Sequence, residues 1–325
     1  MKFIILTLNT ILIFSLPAML SFCNEQNTSH IANNVLTDQD PIIATGDTVS
    51  ETHDSILVVF QASNNDFWFG SNGHGVYRYD GKNLIHFTKK NGLCHNQIRG
   101  IQEDTSGNIY FTTDRGINKF DGHTFTTLKI TKSNLPNGGW KLQPHDLWFQ
   151  GAQDSGVVYR YDGTGLFRLV FPATKAGDEF ISRFPRSEYP NMTFSPYDVY
   201  SIFKDSKENI WFGTNMGVCR YDGKTFAWIS EKELEIDAVA FHVRSTIEDK
   251  NGKFWFSNTM HCFDVYLNES PESKRDANEK GSVNFKKEKG ISSSKEHDAA
   301  DFAYFMSGLE DSTGNLWLAT YGNGV

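Results

Sequence analysis

Cysteine is scarce in this sequence, with four among 325 residues and three once Cys23 near the N-terminus is set aside. An odd number cannot fully pair within one chain, so a disulfide framework is not expected. Cys94, Cys219 and Cys262 read as free thiols without metal-ligand spacing. Positive charge is in deficit: 31 Lys+Arg against 39 Asp+Glu give a formal net charge of −8, which argues against a nucleic-acid partner. The basic run NFKKEKG (284–290) reads as a solvated edge. Catalytic signatures are missing too: there is no G-x-S-x-G, no H-E-x-x-H and no P-loop, and these residues leave no room for a kinase.

Aromatic residues, in contrast, are abundant: 26 Phe, 12 Tyr and 7 Trp make up 14% of the chain. Many fall in copies of one phrase. FWFGSNGHGVYRYDGK (67–82) and IWFGTNMGVCRYDGK (210–224) are nearly the same, and further copies start at Ile109, Leu147, Phe254 and Leu316. The Asp of the Y-D-G element falls at Asp80, Asp121 and Asp162, two equal steps of 41 (121 − 80 and 162 − 121). Asp222 comes 60 residues later (222 − 162), which implies an insertion, and Asp264 follows as a weaker counterpart. A period near forty with an aromatic in each unit is that of four-stranded propeller blades.

One unit, residues 98–128, shows the internal pattern. IRGIQED alternates, TSGN is a turn, IYFTT is a buried strand, and GINKF runs into the Asp121-Gly122 bend before TFTTL. No helix of useful length fits between these strands. Five full units are predicted, starting near Ile56, Ile98, Lys141, Val199 and Val243, with a partial sixth near Phe305. The fold class is therefore all-β, a propeller of four-stranded antiparallel blades.

GIQEDTSGNIYFTT, SIFKDSKENIWFGT, STIEDKNGKFWFSN and GLEDSTGNLWLAT, together with the Y-D-G elements, resemble the repeat of the two-component regulator propeller family. The resemblance covers residues 55–325. It implies a sensor-type propeller of the cell envelope, related to the sensor part of two-component systems or standing alone as a lipoprotein. It also implies about seven blades, so the repeats are expected to be incomplete at the C-terminus.

The first residues, MKFIILTLNTILIFSLPAMLSFC, have a basic start and an apolar core interrupted by Thr7, Asn9, Thr10 and Pro17. LSFC resembles a lipobox, with Phe22 where a small residue is usual. A signal peptide over residues 1–22 and lipid attachment at Cys23 are expected, tethering the protein to a membrane surface; plain signal cleavage and an uncleaved anchor are the alternatives. Residues 23–54 are polar and read as a flexible tether, within which PIIATGDTV could add an edge strand. Residues 55–325 are the propeller.

In a propeller the first-to-second and third-to-fourth turns share one rim. Here those are the repeated turns, TSGN, SKEN, KNGK and STGN, and the Asp-Gly bends. Their Asp and Asn residues lack calcium-loop spacing and suit hairpin bonding, so neither metal nor cofactor is expected. The other rim varies from unit to unit, and variable loops on a rigid scaffold carry binding. Its loops place His74, Arg115, Asp154, Asn215, Met216 and His261 there, and its connections add His95, Asn96, Arg99, His242 and Arg244. An insertion after Gly165 adds Arg183, Tyr189 and Tyr197 among further aromatics expected to glue it to the disc. A second insertion, around 268–284, falls on the opposite rim.

Aromatics beside carboxylates and guanidinium groups suit a polar organic ligand such as a carbohydrate. The expected function is non-catalytic ligand capture, with an envelope protein as the other class of partner. A propeller lyase or lactonase, with a channel histidine as base, is the enzymatic alternative.

Overall fold

The computed structural model describes residues 42–53, 55–131, 139–151, 154–185, 187–191, 193–230, 233–234, 242–257, 261–267, 285–287, 291–292, 304–311 and 313–321. Two short strands come first, β1 (Ile42–Ile43) and β2 (Asp47–Val49). The first repeat forms β3 (Ile56–Gln61), β4 (Phe67–Ser71), β5 (Val76–Tyr79) and β6 (Leu84–Phe87). The second forms β7 (Ile98–Glu103), β8 (Ile109–Thr113), β9 (Gly116–Phe120) and β10 (Thr124–Thr127). The third has β11 (Leu147–Gln150), β12 (Val157–Tyr161) and β13 (Leu166–Val170), followed by helix α1 (Lys175–Ser182).

The fourth repeat forms β14 (Val199–Lys204), β15 (Ile210–Thr214), β16 (Gly217–Tyr221) and β17 (Phe226–Ser230). The fifth has β18 (Ser245–Glu248), β19 (Phe254–Ser257), β20 (His261–Leu267), β21 (Phe285–Lys287) and β22 (Ile291–Ser292); the last pair is β23 (Tyr304–Glu310) and β24 (Leu316–Tyr321). All strand pairs in these sheets are antiparallel, and the first strands of the successive sheets, β3, β7, β11, β14, β18 and β23, contact one another in chain order. This is the propeller arrangement. Cys23 and residues 268–284 lie outside the described residues.

The repeated turn works as a clasp centred on one carboxylate. Asp205 accepts from Lys207 N and Asn209 N through Oδ1, and from Asn209 Nδ2 and Trp211 Nε1 (2.8 Å) through Oδ2. Asp249 and Asp311 hold Trp255 and Trp317 in the same way, and Asp104 holds the Tyr110 hydroxyl at 2.9 Å. Six residues of sequence thus tie the turn to an aromatic ring, fully buried at Tyr110 and Trp211, half-buried at Trp255 and exposed at Trp317. Where the carboxylate is missing, the ring nitrogen goes without: Ala62 stands in the clasp position ahead of Trp68, whose Nε1 has no partner.

The glutamate beside the clasp joins neighbouring sheets. Glu103 accepts from Ser63 N and Oγ in the preceding sheet's turn, and Glu248 does the same with Ser206 N (2.6 Å) and Oγ (2.8 Å). Glu310 accepts from Lys250 N at 2.7 Å. Between the sheets lie stacked aromatics. Trp68 packs on Phe87, Phe111 and Phe120, and Trp211 on Phe254 and Phe256. Burying such a ring contributes several kcal/mol, as the roughly 3–5 kcal/mol cost of truncating one indicates.

The structure departs from expectation twice. The third repeat lacks its innermost strand: no strand starts at Lys141, and its sheet has three strands. Pro144 cannot donate to a ladder. The segment turns instead, with Asp146 N bonding Gln143 O and Asp146 Oδ2 accepting from Gln143 N. The same Oδ2 pairs with Arg160 Nη1 at 2.8 Å, both side chains being 2% exposed. The second departure concerns the tether, whose residues 42–49 are structural. β1 pairs with β10 and β2 with β6, so this segment crosses the outer edges of two adjacent sheets. Open strand edges are thereby covered. Asn91 Nδ2 donates to Thr45 O, and Gly46 lies so close to Ile85 and Phe87 that a Cβ would collide with both.

Candidate functional site

Strand register separates the two rims. Phe67 pairs with both Gln61 and Tyr79, and Tyr79 with Leu84, so the clasp turn and the Asp-Gly bend share one rim. At the bends Asp80, Asp121, Asp162 and Asp222 accept from backbone N–H groups two and three residues on, and the following glycines sit at φ 88, 96, 90 and 88. These carboxylates are used up by the hairpins. The insertion after β13 leaves from the other rim, because Val170 pairs with Val157.

On that variable rim, several predicted contact residues are engaged by the frame. Met216 and Asn215 are 2% and 3% exposed, so they are not presented to a ligand. Asn215 Nδ2 donates to Ser195 O (2.7 Å). The Tyr197 hydroxyl accepts from Thr174 N (2.8 Å), and its ring packs on Phe171 and Trp228, the expected glue. Asp154 accepts from Arg168 Nε (2.6 Å) and Nη2 (2.7 Å) and from Tyr159 OH. Burial alone would raise its carboxyl, but Arg168 and Tyr159 outweigh it and hold the group below the usual range. Asn96 Oδ1 accepts from Lys89 N, and Arg183 caps α1 with its guanidinium 4.6 Å from the Phe180 ring centroid.

Others face solvent. His74 is exposed and stacks on His53 at 3.4 Å between ring centroids. Arg115 and Tyr189 are exposed, and half-buried His95 accepts from Gln97 N through Nδ1. His261 opens β20, and its side chain lies outside the described ones.

The remaining candidates gather at the centre. The inner strands enclose a cavity of ≈ 740 Å³ whose wall includes Leu57, Arg99, Tyr200 and Arg244. Where the third sheet lacks its inner strand, side-chain amides stand in: Gln102 Nε2 donates to Trp148 O (2.6 Å) and Gln150 Nε2 to Tyr200 O (2.7 Å). Arg99 forms an ion pair with Asp114 (2.8 Å). His242 is not part of the wall; it stacks on Tyr200 at 4.3 Å, with Nδ1 2.6 Å from Asn215 Oδ1. Burial, then the charge of Arg244, lowers its pKa to about 4, so its ring is neutral near pH 7. Tyr200 escaped the sequence reading, although its repeat position is that of Arg99 and Arg244. Among the described residues no three His, Cys, Asp or Glu side chains are grouped to hold a metal ion.

A family model described as "Two component regulator propeller" matches residues 193–216, which run through β14, the Asp205 clasp and β15. This chain carries the two component regulator propeller repeat. No curated protein matches the sequence. Solved structures share the propeller fold. One is the extracellular domain of BT4673 from B. thetaiotaomicron, described as a one component system: 18% identity, TM-score 0.53, covering 86% of this chain and 32% of that one. The extracellular domain of BT3049 from the same organism, described as a hybrid two component system, has 17% identity and TM-score 0.50, covering 85% and 33%. A catalytically inactive virginiamycin B lyase from Staphylococcus aureus, solved with quinupristin, has 12% identity and TM-score 0.53, covering 86% of both chains. The chain thus spans about a third of the length of the extracellular domains it matches.

Proposed function

We propose that this propeller is a non-catalytic recognition module of the cell envelope, tethered to a membrane through lipid at Cys23, that captures a small polar organic ligand on its variable rim. The division of labour between the rims carries this reading. On one rim the repeated carboxylates are spent on clasps (Asp104, Asp205, Asp249 and Asp311) and on bends (Asp80, Asp121, Asp162 and Asp222). On the other, loops differ from sheet to sheet and surround a cavity mouth lined by arginine and tyrosine. The family repeat and the fold shared with extracellular sensor domains support the same reading. No helix among the described residues is long and apolar enough to cross a membrane.

The test is a thermal-shift and calorimetric screen of the full chain against neutral and acidic oligosaccharides and small organic acids. Turnover of lactones and cyclic depsipeptides is followed in the same preparations. Saturable binding without turnover is the expected result. Turnover that disappears in His242→Ala would overturn it in favour of a lyase, the activity named for one structural neighbour. If no compound binds while a pull-down from intact membranes recovers a stoichiometric envelope protein, the propeller is a scaffold instead.

A further inference from the structure

Four of the inner strands carry the same irregularity at the same place. Register shifts occur between Ile56 and Val58, Ile98 and Gly100, Val199 and Ser201, and Phe305 and Ser307. The residues passed over are Leu57, Arg99, Tyr200 and Met306, each the second residue of its strand except Met306, the third of β23. A bulge of this kind leaves one residue out of the ladder and re-aims its side chain. In the fifth repeat Arg244 holds the matching position, one residue before β18, with its backbone N–H on Ser257 O. At this repeat position Leu57, Arg99, Tyr200 and Arg244 line the cavity, and the chemistry changes from sheet to sheet.

Arg244 is the unusual member. Its guanidinium lies 5.4 Å from the Tyr200 ring centroid, and its Nε is buried without a hydrogen-bond partner. No carboxylate or carbonyl among the described residues accepts from its side chain. Burial and the nearby charge of Arg99 both act against its protonated form, and Tyr200 acts for it. An arginine cannot escape by losing its proton, so a half-buried guanidinium whose Nε is buried without an acceptor is costly. Arg99 stands by with its Nε on Asp114, and the local sum of the two guanidiniums and Asp114 is one positive charge in a chain of net charge −8.

We propose that the cavity mouth is a binding site for a singly charged carboxylate, received by the free donors of Arg244 beside Arg99, with the organic body of the ligand against Tyr200 and Leu57. A planar carboxylate matches the guanidinium fork, and one negative charge neutralises the mouth. Leu57, 46% exposed, and the Tyr200 ring offer apolar surface to a carbon skeleton. A cavity of ≈ 740 Å³ is of the size that small-molecule sites have. This inference rests on the reading of the propeller as a binding module and specifies the ligand class.

The test uses matched probes on the full chain: benzoate against benzyl alcohol, and gluconate against glucose, measured by calorimetry at two salt concentrations, with inorganic phosphate alongside. At least one carboxylate is expected to bind at least about tenfold more tightly than its neutral partner, with affinity falling as salt rises. Arg244→Met is expected to abolish that preference, and Arg244→Lys to retain only part of it. Because no described residue accepts from the guanidinium, Arg244→Met should melt no lower than the parent. A purely structural cation would instead give a lower melting temperature with unchanged binding, and that result overturns the proposal. Equal binding of acid and neutral probes, or tighter binding of phosphate than of either carboxylate, also overturns it while leaving ligand capture by the propeller standing. Only a blank across the wider screen would count against both.

Discussion

Replacing Asp205 by alanine probes the clasp that four of the repeats use to fasten the turn to the aromatic ring six residues on. The carboxylate serves four donors, at 3.0 Å (Lys207 N), 2.8 Å (Asn209 N), 2.9 Å (Asn209 Nδ2) and 2.8 Å (Trp211 Nε1). Trp211 is fully buried, so its indole N–H would lose its acceptor where water cannot replace it, at about 1–3 kcal/mol. The donors of the turn can turn to water and contribute roughly 0.5–1 kcal/mol each. Asp205→Ala is therefore expected to cost about 2.5–6 kcal/mol. Asp205→Asn keeps an Oδ1 acceptor for the backbone but points its NH₂ at Trp211, and is expected to cost about 2 kcal/mol. Urea unfolding followed by tryptophan fluorescence, with the slope checked for unchanged cooperativity, measures both. A loss below about 0.5 kcal/mol for Asp205→Ala would refute the clasp, because Trp211 would then be no worse off than Trp68 or Trp148, which have no Nε1 partner.

Asp146→Ala should be severe, about 3–5 kcal/mol by thermal melting, because it leaves Arg160, 2% exposed, without its closest counter-charge. Glu248→Ala removes the acceptor for Ser206 N and Oγ; about 1 kcal/mol is expected, with faster amide exchange at Ser206 as the local readout. His242 is depressed to about 4 from an ordinary 6.5, so the folded state binds fewer protons than the unfolded one between those values. Its contribution is complete above pH 6.5 and lost as pH falls towards 4, about 2 kcal/mol allowing for its half-buried ring. Replacing it with asparagine, which tolerates the φ of 87 found there, should flatten that acid-side slope in pH-dependent unfolding; an unchanged slope rejects the assignment.

Much of the frame was legible because its determinants are local. The clasp closes within six residues and the Asp-Gly bend within three, so the turns, their rim and the strands between them could be read from one repeat and extended to the others. The site was harder to read. Asn215, Met216, Asp154 and Tyr197 are polar or bulky residues at loop positions, and nothing nearby in sequence says that Ser195, Arg168 or Thr174 will occupy them. Arg99 and Arg244 were named as variable-rim residues and line the cavity; Tyr200 was not named, since its place in that wall comes from a bulge that sets it beside Arg244.

The amino-acid order alone thus settled the repeat, the antiparallel sheets and the separation of a repeated rim from a variable one. Three features were left to the folded molecule. The third sheet loses its inner strand because Asp146 pairs with Arg160 on the next strand but one, across a turn made by Pro144. Residues 42–49 become edge strands because two outer edges, 35 and 81 or more residues further along the chain (84 − 49 and 124 − 43 bound the spans), present unpaired backbone to them. The ring of Leu57, Arg99, Tyr200 and Arg244 exists only once separate repeats close around one cavity, since side chains far apart in sequence share a field and a solvent only after packing brings them together.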